Sequence, residues 1–502
     1  MTGTPATWTS TASGASSVVL VGHGMAGARF AEEVRRHDPG GRRIRLTVLA
    51  AESRPAYNRV LLPNLLCGTM GEEDITLTGP GWAARNHVDL RMGTAAVRLD
   101  TARQTVTTST AGQIGYDALV LATGARAFVP KLPGVLPGAD VTALRSLSDA
   151  RRLSALAHAA RRRHGRIAVL GGGVLGLEAA RALAARGTAV TVVHRGPHLM
   201  ERQVDAPGGR VLAAAVRRTG VEVLLGVQAA RWQRGRGLWL ADGRLLSCTG
   251  LLVAAGTVPE AGLGRTAGLR LAESGAVAVD DTLTTSDPRV YAIGDCADHP
   301  AAASGLVQPG WEQAAVLARR LTGADPHARY RGSRAVTRLK AAGIELACVG
   351  SPSAEPGDPS FEVLRFEDPA RERYAKLVLA DGRVAGAVLI GLPDAAAGIV
   401  QLYDRGAAAP ADRLALLLGR ALPSAGSLAG PAALPDHAVV CRCNMVTKGQ
   451  LRTAWYGGAS SRAALTSATR AATGCGTCGE DLDAVTAWLS RVDPSPKEPA
   501  LR

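Results

Sequence analysis

The sequence predicts an α/β chain with two Rossmann-like nucleotide-binding units, followed by a small α+β unit and a small helical module that holds a metal centre. Three observations carry this expectation. A glycine fingerprint between a strand and a helix occurs twice, at residues 22–27 (GHGMAG) and 171–176 (GGGVLG), 149 residues apart. Short alternating apolar runs replace that pattern after about residue 323. Four of the eight cysteines fall in one window, as Cys441-Arg-Cys443 and Cys475-Gly-Thr-Cys478.

In chain order, residues 1–16 are rich in Thr, Ser and Ala and lack a charged start followed by an apolar run, so they read as a disordered leader. Residues 17–21 (SVVLV) form a β-branched run that enters Gly22-His-Gly24-Met-Ala-Gly27 and then the helical pattern ARFAEEVRR. Gly22 permits the tight turn, Gly24 lets a pyrophosphate approach the backbone, and Gly27 lets the helix pack on the strand. A second strand at 45–50 ends just before Glu52, whose carboxylate is placed to accept hydrogen bonds from an adenosine ribose. Residues 57–63 (YNRVLLP) read as a loop in which Arg59 suits a diphosphate or an isoalloxazine edge. Residues 116–124 (YDALVLATG) are a strand ending in a small-residue turn at Thr123 and Gly124.

The strand at 166–170 (RIAVL) enters the second fingerprint, Gly171-Gly-Gly173-Val-Leu-Gly176-Leu-Glu178, and the strand at 189–193 follows its helix. Two such units in one chain imply two nucleotides, the combination expected of a flavin reduced by a nicotinamide. At the end of that strand, where an acid marks NAD, the chain has His194-Arg195, so NADPH is accommodated as readily as NADH. Strand-and-turn signals at 251–256 (LLVAAG) and 289–295 (RVYAIGD) close the region and bring in Gly256 and Asp295. A helix then opens at Gly310-Trp-Glu312. From 323 to 420 the strands LACVG, FEVLRF, YAKLVLA and RVAGAVLIG and a helix at 396–405 form a separate α+β unit, read as a scaffold or docking unit. A linker at 421–436 leads to the cysteine module at 437–492.

The module's two close cysteine pairs, 31 residues apart with room for two short helices, suit one four-thiolate centre. Spacing leaves zinc and an iron–sulfur cluster equally open. Net charge is +15 from 58 basic and 43 acidic residues, but the arginines are scattered, lysines number five and aromatics make up 4%, which argues against nucleic acid. No run reaches the length of a membrane span, and a cytoplasmic location is expected. Cys67, Cys248 and Cys348 read as core residues and Cys296 as part of a turn; no redox-active pair stands in the first unit.

Together these segments resemble the flavoprotein portion of assimilatory NAD(P)H nitrite reductase large subunits and the related electron-transfer subunits of assimilatory nitrate reductases. The likeness lies in GHGMAG, AYNRVLL, ATGARAFVP, GGGVLGLEAA, LMERQVD, GLVQPGWEQAAVLA and CRCNMVTKGQL…TGCGTCGEDL, and spans about residues 17–490. It implies a fold like that of the pyridine nucleotide-disulfide oxidoreductases. The FAD domain would occupy 17–140 and 250–322, the NAD(P) domain 141–249, and a reductase C-terminal domain 323–420. The tail is similar to bacterioferritin-associated ferredoxin, which tilts the metal to a [2Fe-2S] cluster on Cys441, Cys443, Cys475 and Cys478.

By the same resemblance Gly22, Gly24, Gly27, Glu52, Arg59, Thr123, Gly124, Asp295 and Glu312 would contact FAD. Gly171, Gly173, Gly176, His194, Arg195 and Gly256 would contact NAD(P)H, with Glu178 near the flavin–nicotinamide junction. Related reductases often place a lysine near the flavin where this chain has Pro63-Asn64. The resembled large subunits continue into a sirohaem domain, whereas this chain ends 24 residues after Cys478, so a separate partner is expected to carry the reduction. That partner would be a molybdopterin nitrate reductase or a sirohaem nitrite reductase, fed by hydride transfer to FAD and single electrons through the cluster. A homodimer is compatible with the resemblance. Two other readings stay open: a self-contained reductase of a ferredoxin, a rubredoxin or a small acceptor, and a zinc-stabilised interaction module on a flavoprotein body.

Overall fold

The computed structural model describes residues 14–110, 112–302, 305–341, 343–420, 431–441, 444, 446–473 and 478–492. The leader up to residue 13, residues 421–430 of the linker, Cys443 and Cys475 lie outside them. The chain divides into two compact units. One is drawn from the chain up to Asn58, Thr76–Arg126 and Thr257–Ser333; the other from Arg59–Ile75, Ala127–Gly256 and the chain from Arg334 onward.

The first unit is organised on a parallel five-stranded sheet in the order Val290–Ala292, Ala118–Leu121, Ser16–Val21, Ile44–Ala50, Val88–Met92. Its central strand is buried on both faces, with Val18, Val19 and Leu20 at 0% exposure, which explains a continuous apolar run where a half-exposed strand would alternate. The helix Met25–His37 packs against the helix Val307–Leu321. Asp38, just past the first helix, accepts from the backbone N–H groups of Arg42, Arg43 and Ile44 and so fixes the turn into the second strand. An antiparallel meander of Ala96–Asp100, Thr105–Thr108 and Gln113–Gly115 adds to this unit.

The second unit repeats the parallel sheet with strands Glu222–Leu225, Ala189–His194, Arg166–Leu170, Gly250–Val253 and Val141–Ala143. Residues 57–63, expected to be a loop, instead wind into a 3-10 turn, Arg59–Leu61, and a short helix, Leu62–Cys67, that packs on the helix Val174–Ala185. Pro63 sits in its first turn, where a missing N–H costs nothing.

The α+β segment contains one strand more than the apolar runs suggested: Val336–Ala341 joins Ile344–Gly350, Arg383–Ile390, Arg373–Ala380 and Glu362–Asp368 in an antiparallel sheet. Nor does it stand apart. One face (Ala375, Leu377, Leu379, Ala387, Leu389) is covered by the helices Pro393–Arg405 and Arg413–Leu417. The other, with Tyr374 and Lys376, lies on the helix Ala206–Arg218 of the nucleotide fold.

The tail folds as strands Val439–Cys441 and Val446–Thr447 with helices Lys448–Tyr456, Arg462–Thr469 and Gly479–Val492 around Leu451, Leu465, Leu482 and Leu489. The first of these helices starts with a capping box between Thr447 and Gln450. The end of the expected linker is held to this module: buried Lys448 donates to Leu434 O at 2.6 Å and lies 4.3 Å above the Trp488 ring. Among the described residues no helix is long and apolar enough to cross a membrane.

Candidate functional site

The first glycine turn is built so that backbone meets backbone. Gly22 has φ +108°, and a Cβ there would lie 2.3 Å from Ala122 O. One on Gly27 would lie 2.0 Å from Gly22 O. Gly24 caps the helix Met25–His37 with no side-chain hydrogen bond, and no acid stands in its first turn, so the positive end of the helix is left for an anion. His23 in the same turn is held neutral by burial, its pKa pushed down to about 4, and its Nδ1 is buried with no hydrogen-bond partner among the described residues.

Around this turn the same unit gathers most of the predicted FAD residues. Glu52 lies just past the second strand and accepts from Tyr57 OH at 2.9 Å. Thr123 Oγ1 donates to Glu260 O at 2.5 Å, and Gly124 has φ +74° with open space where a Cβ would stand. Asp295 sits in a 3-10 turn, Gly294–Cys296, that Gln313 fastens to the last helix by accepting from Gly294 N at 2.7 Å. Trp311 Nε1 donates to Met25 O at 3.0 Å, and a Cβ on Gly310 would stand 3.1 Å from Gly294 Cα, so small residues let the first and last helices converge on that turn. Glu312 is engaged within the protein, accepting from Gln308 at 2.8 Å and from Ser333. Arg59 belongs to the other unit, where its Nη1 donates to Arg145 O at 3.0 Å.

The second turn has nearly the same dimensions as the first. Gly171 has φ +122°; its Cβ would meet Ala254 O at 2.3 Å, and that of Gly176 would meet Gly171 O at 2.1 Å. Gly173 caps the helix Val174–Ala185, again with no side-chain hydrogen bond. Gly256 has φ +115° and open space beside it, and Glu178 is buried on the helix after the turn. The ring of His194 stands over the turn. Its Nδ1 accepts from Gly172 N at 3.2 Å, which puts the proton on Nε2, 3.1 Å from Glu201 Oε1. Arg195 is exposed. The carboxylate that the strand end lacks in sequence is thus returned by Glu201, seven residues on, seated 1.1 Å from where a Cβ on Gly196 would be. Glu201 stands in the LMERQVD motif, but only the return of the segment at 196–201 brings it to His194.

In the tail, Cys441 and Cys478 are 1% and 6% exposed in one cluster. Buried Asn444 ties the segments carrying them: Nδ2 donates to Arg470 O at 2.7 Å and Thr473 Oγ1 at 3.0 Å, and lies 3.9 Å from Cys441 Sγ. Thiols beside an amide donor are the chemistry an iron–sulfur cluster takes. The remaining thiols differ. Burial pushes Cys248 up to about 11 and Cys348 up to about 12 and raises Cys296, which keeps all three protonated and inert. Cys67, expected in the core, is only half-buried at the end of its short helix.

The two turns fit two dinucleotides, because each closes backbone on backbone at its first and third glycines and leaves a helix start with no side-chain cap. Comparison with known proteins agrees. Residues 16–318 match the pyridine nucleotide-disulphide oxidoreductase family, 336–402 the rubredoxin NAD+ reductase C-terminal domain, and 439–487 the BFD-like [2Fe-2S] binding domain. The nitrite reductase [NAD(P)H] of Bacillus subtilis is 34% identical over 473 residues, covering 93% of this chain and 56% of that protein. The assimilatory nitrate reductase electron transfer subunit of the same organism is 31% identical over 456 residues, 87% of this chain and 55% of that protein. The chain thus spans about half the length of these curated relatives. Among solved structures, a ferredoxin reductase from Rhodopseudomonas palustris is 26% identical with a TM-score of 0.66, covering 75% of this chain and 91% of its own. With two dinucleotide turns and a cysteine-bearing tail module in one chain, the protein belongs to the pyridine nucleotide-disulphide oxidoreductase family, as an NAD(P)H-dependent flavoenzyme that uses FAD and carries a BFD-like [2Fe-2S] domain.

Proposed function

We propose that this chain passes electrons from NAD(P)H through FAD and its [2Fe-2S] cluster to a separate nitrate or nitrite reductase catalytic subunit. The observation that supports this best is the duplicated turn, two cradles of matching geometry, upstream of a module that buries Cys441 and Cys478 together. When bound, FAD accepts a hydride from a nicotinamide and gives up electrons singly, which suits it to stand between NAD(P)H and a cluster.

The chain's own residues then bind and orient. Gly22, Gly24 and Gly27 admit the FAD pyrophosphate, with Glu52 on its ribose and Thr123, Gly124, Asp295 and Arg59 along the rest of it. Glu312, near the start of the helix Val307–Leu321, joins these residues at the FAD. Gly171, Gly173, Gly176 and Gly256 admit NAD(P)H, with His194 and Arg195 at the adenosine end and Glu178 toward the nicotinamide. Cys441, Cys443, Cys475 and Cys478 hold the cluster. Relatives named as nitrite reductases and as a nitrate reductase electron transfer subunit support the choice of acceptor, and a cytoplasmic site of action accords with NAD(P)H as donor.

Cys475→Ser tests the route. NAD(P)H-dependent dye reduction is expected to persist while electron delivery to the purified catalytic subunit is lost. Survival of both activities would remove the cluster from the path, and a tail that purifies with zinc alone would do the same. The match of 336–402 to a rubredoxin reductase domain favours one second reading, a reductase of a small redox protein. Faster transfer to rubredoxin or ferredoxin than to either catalytic subunit would select it.

A further inference from the structure

The most deeply buried lysine among the described residues lies where the C-terminal sheet meets the nucleotide fold. Lys376, on the strand Arg373–Ala380, is 0% exposed, with Nζ 2.8 Å from Glu355 Oε1 and 3.5 Å from Asp205 Oδ2. Tyr374, two residues earlier on the same face and also 0% exposed, donates its hydroxyl to Asp205 Oδ2 at 2.5 Å. Asp205 is in turn the N-cap of the helix Ala206–Arg218, its Oδ1 accepting from Gly208 N at 3.3 Å. A Cβ on Gly208 would come within 2.9 Å of the Tyr374 ring, so the first turn of this helix is shaped to the tyrosine. At the helix's other end Arg218 pairs with Glu372, next to the same strand.

Apolar contact alone would hold a sheet against a helix, and Leu346, Val388 and Ile390 on this face supply it. A lysine taken wholly out of water beside two carboxylates is costly unless its geometry is kept, so the network adds a directional constraint that apolar packing lacks. That constraint acts on the start of the helix, and what precedes the start is the dinucleotide turn's support. Val204 N donates to Met200 O at 2.9 Å, and Met200 N donates to Gly172 O at 3.0 Å. Leu199 seats its Cδ2 2.5 Å from where a Cβ on Gly172 would stand. Met200 is buried at φ +53°, a conformation that a non-glycine residue keeps only when its surroundings impose it.

We propose that Asp205, Tyr374 and Lys376 form a positioning clamp through which the C-terminal sheet sets the geometry of the Gly171–Gly172–Gly173 turn, and with it the affinity for NAD(P)H. The clamp touches neither dinucleotide; it acts through Met200 and Gly172. This gives residues 323–420 a part in nucleotide binding. It rests on the assignment of the second turn to NAD(P)H.

The test uses the full-length holoprotein. Tyr374→Phe removes one hydroxyl and keeps the packing; Asp205→Asn keeps the shape and removes the charge facing Lys376. Binding of NAD+ and of NADP+ is followed by the change in flavin absorption, alongside KM and kcat for dye reduction and the flavin content. Tyr374→Phe is expected to raise both the nucleotide Kd and the KM by about three- to tenfold, the effect of one lost buried hydrogen bond. Flavin content should stay at the wild-type value and kcat within about twofold, because an affinity effect leaves the loaded complex intact. Asp205→Asn should exceed Tyr374→Phe; if it does not fold, Tyr374→Phe decides. Wild-type Kd and KM in Tyr374→Phe, with only a lower thermal midpoint, would reduce the clamp to a stability element and overturn the proposal. Wild-type protein that binds neither nucleotide would overturn the assignment of the turn as well.

Discussion

The two glycine turns differ in sequence but agree within a tenth of an ångström in their tightest approach, which allows one substitution to be made twice with two different outcomes. In Gly27→Ala the new Cβ falls 2.0 Å from Gly22 O, and in Gly176→Ala it falls 2.1 Å from Gly171 O. Real Cβ atoms essentially never come within 3.0 Å of such an atom, so each turn must open by about an ångström. Both partners are backbone, one at a strand's end and one in a helix's first turn, and neither has a rotamer through which to yield. Overpacking of this kind costs about 1–3 kcal/mol, and here the upper half of that range is expected. Spent on the turn that admits a pyrophosphate, about 2–3 kcal/mol weakens the dinucleotide about 30- to 150-fold. Gly27→Ala should therefore leave gel filtration depleted of flavin. Gly176→Ala should keep its flavin and dye-coupled reoxidation but require far more NAD(P)H for half-maximal reduction. The assays are the flavin-to-protein absorbance ratio and the rate of anaerobic flavin reduction against nucleotide concentration. A Gly27→Ala protein with full flavin, or a Gly176→Ala protein without it, would refute the assignment of the two turns.

Two further outcomes follow from buried polar groups. His23 keeps a pKa of about 4 in the folded protein against 6.5 when exposed, so the folded state binds fewer protons between those values. Its contribution is complete above pH 6.5 and declines as pH falls toward 4, by about 3 kcal/mol in all. Flavin release and unfolding on acidification should be less steep in His23→Gln than in wild type; identical acid profiles would count against a neutral, buried imidazole in the turn. Asn444→Ala loses the amide that donates to Arg470 O and Thr473 Oγ1, a cost of about 1–3 kcal/mol falling between the two cysteine-bearing segments. Iron and acid-labile sulfide per chain should drop while FAD content holds, and full retention of both would show that Asn444 is dispensable.

Much of this architecture is local in origin and was therefore legible in the sequence. A strand, a glycine turn and a helix occupy about twenty consecutive residues, and the glycines at 22, 27, 171 and 176 are dictated by contacts of the turn with itself and with the neighbouring strand. The paired cysteines of the tail and the two short helices between them are equally local. What sequence order concealed lies where distant segments meet. Residues 59–67 carry too weak an apolar period to mark a helix that forms by packing on Val174–Ala185. Lys376 alternates with apolar neighbours as a solvent-facing residue would, yet both faces of its strand are covered.

That two dinucleotide folds and a thiolate module follow one another is written in residue order, because turn stereochemistry and strand periodicity are properties of adjacent residues. Packing was needed to show that Glu201 stands at His194, that Asn444 joins the cysteine segments, and that Asp205 faces both Tyr374 and Lys376. Each of these pairings depends on the chain returning on itself, and a hydrogen bond or ion pair has no signature in residue order until packing brings its two ends together.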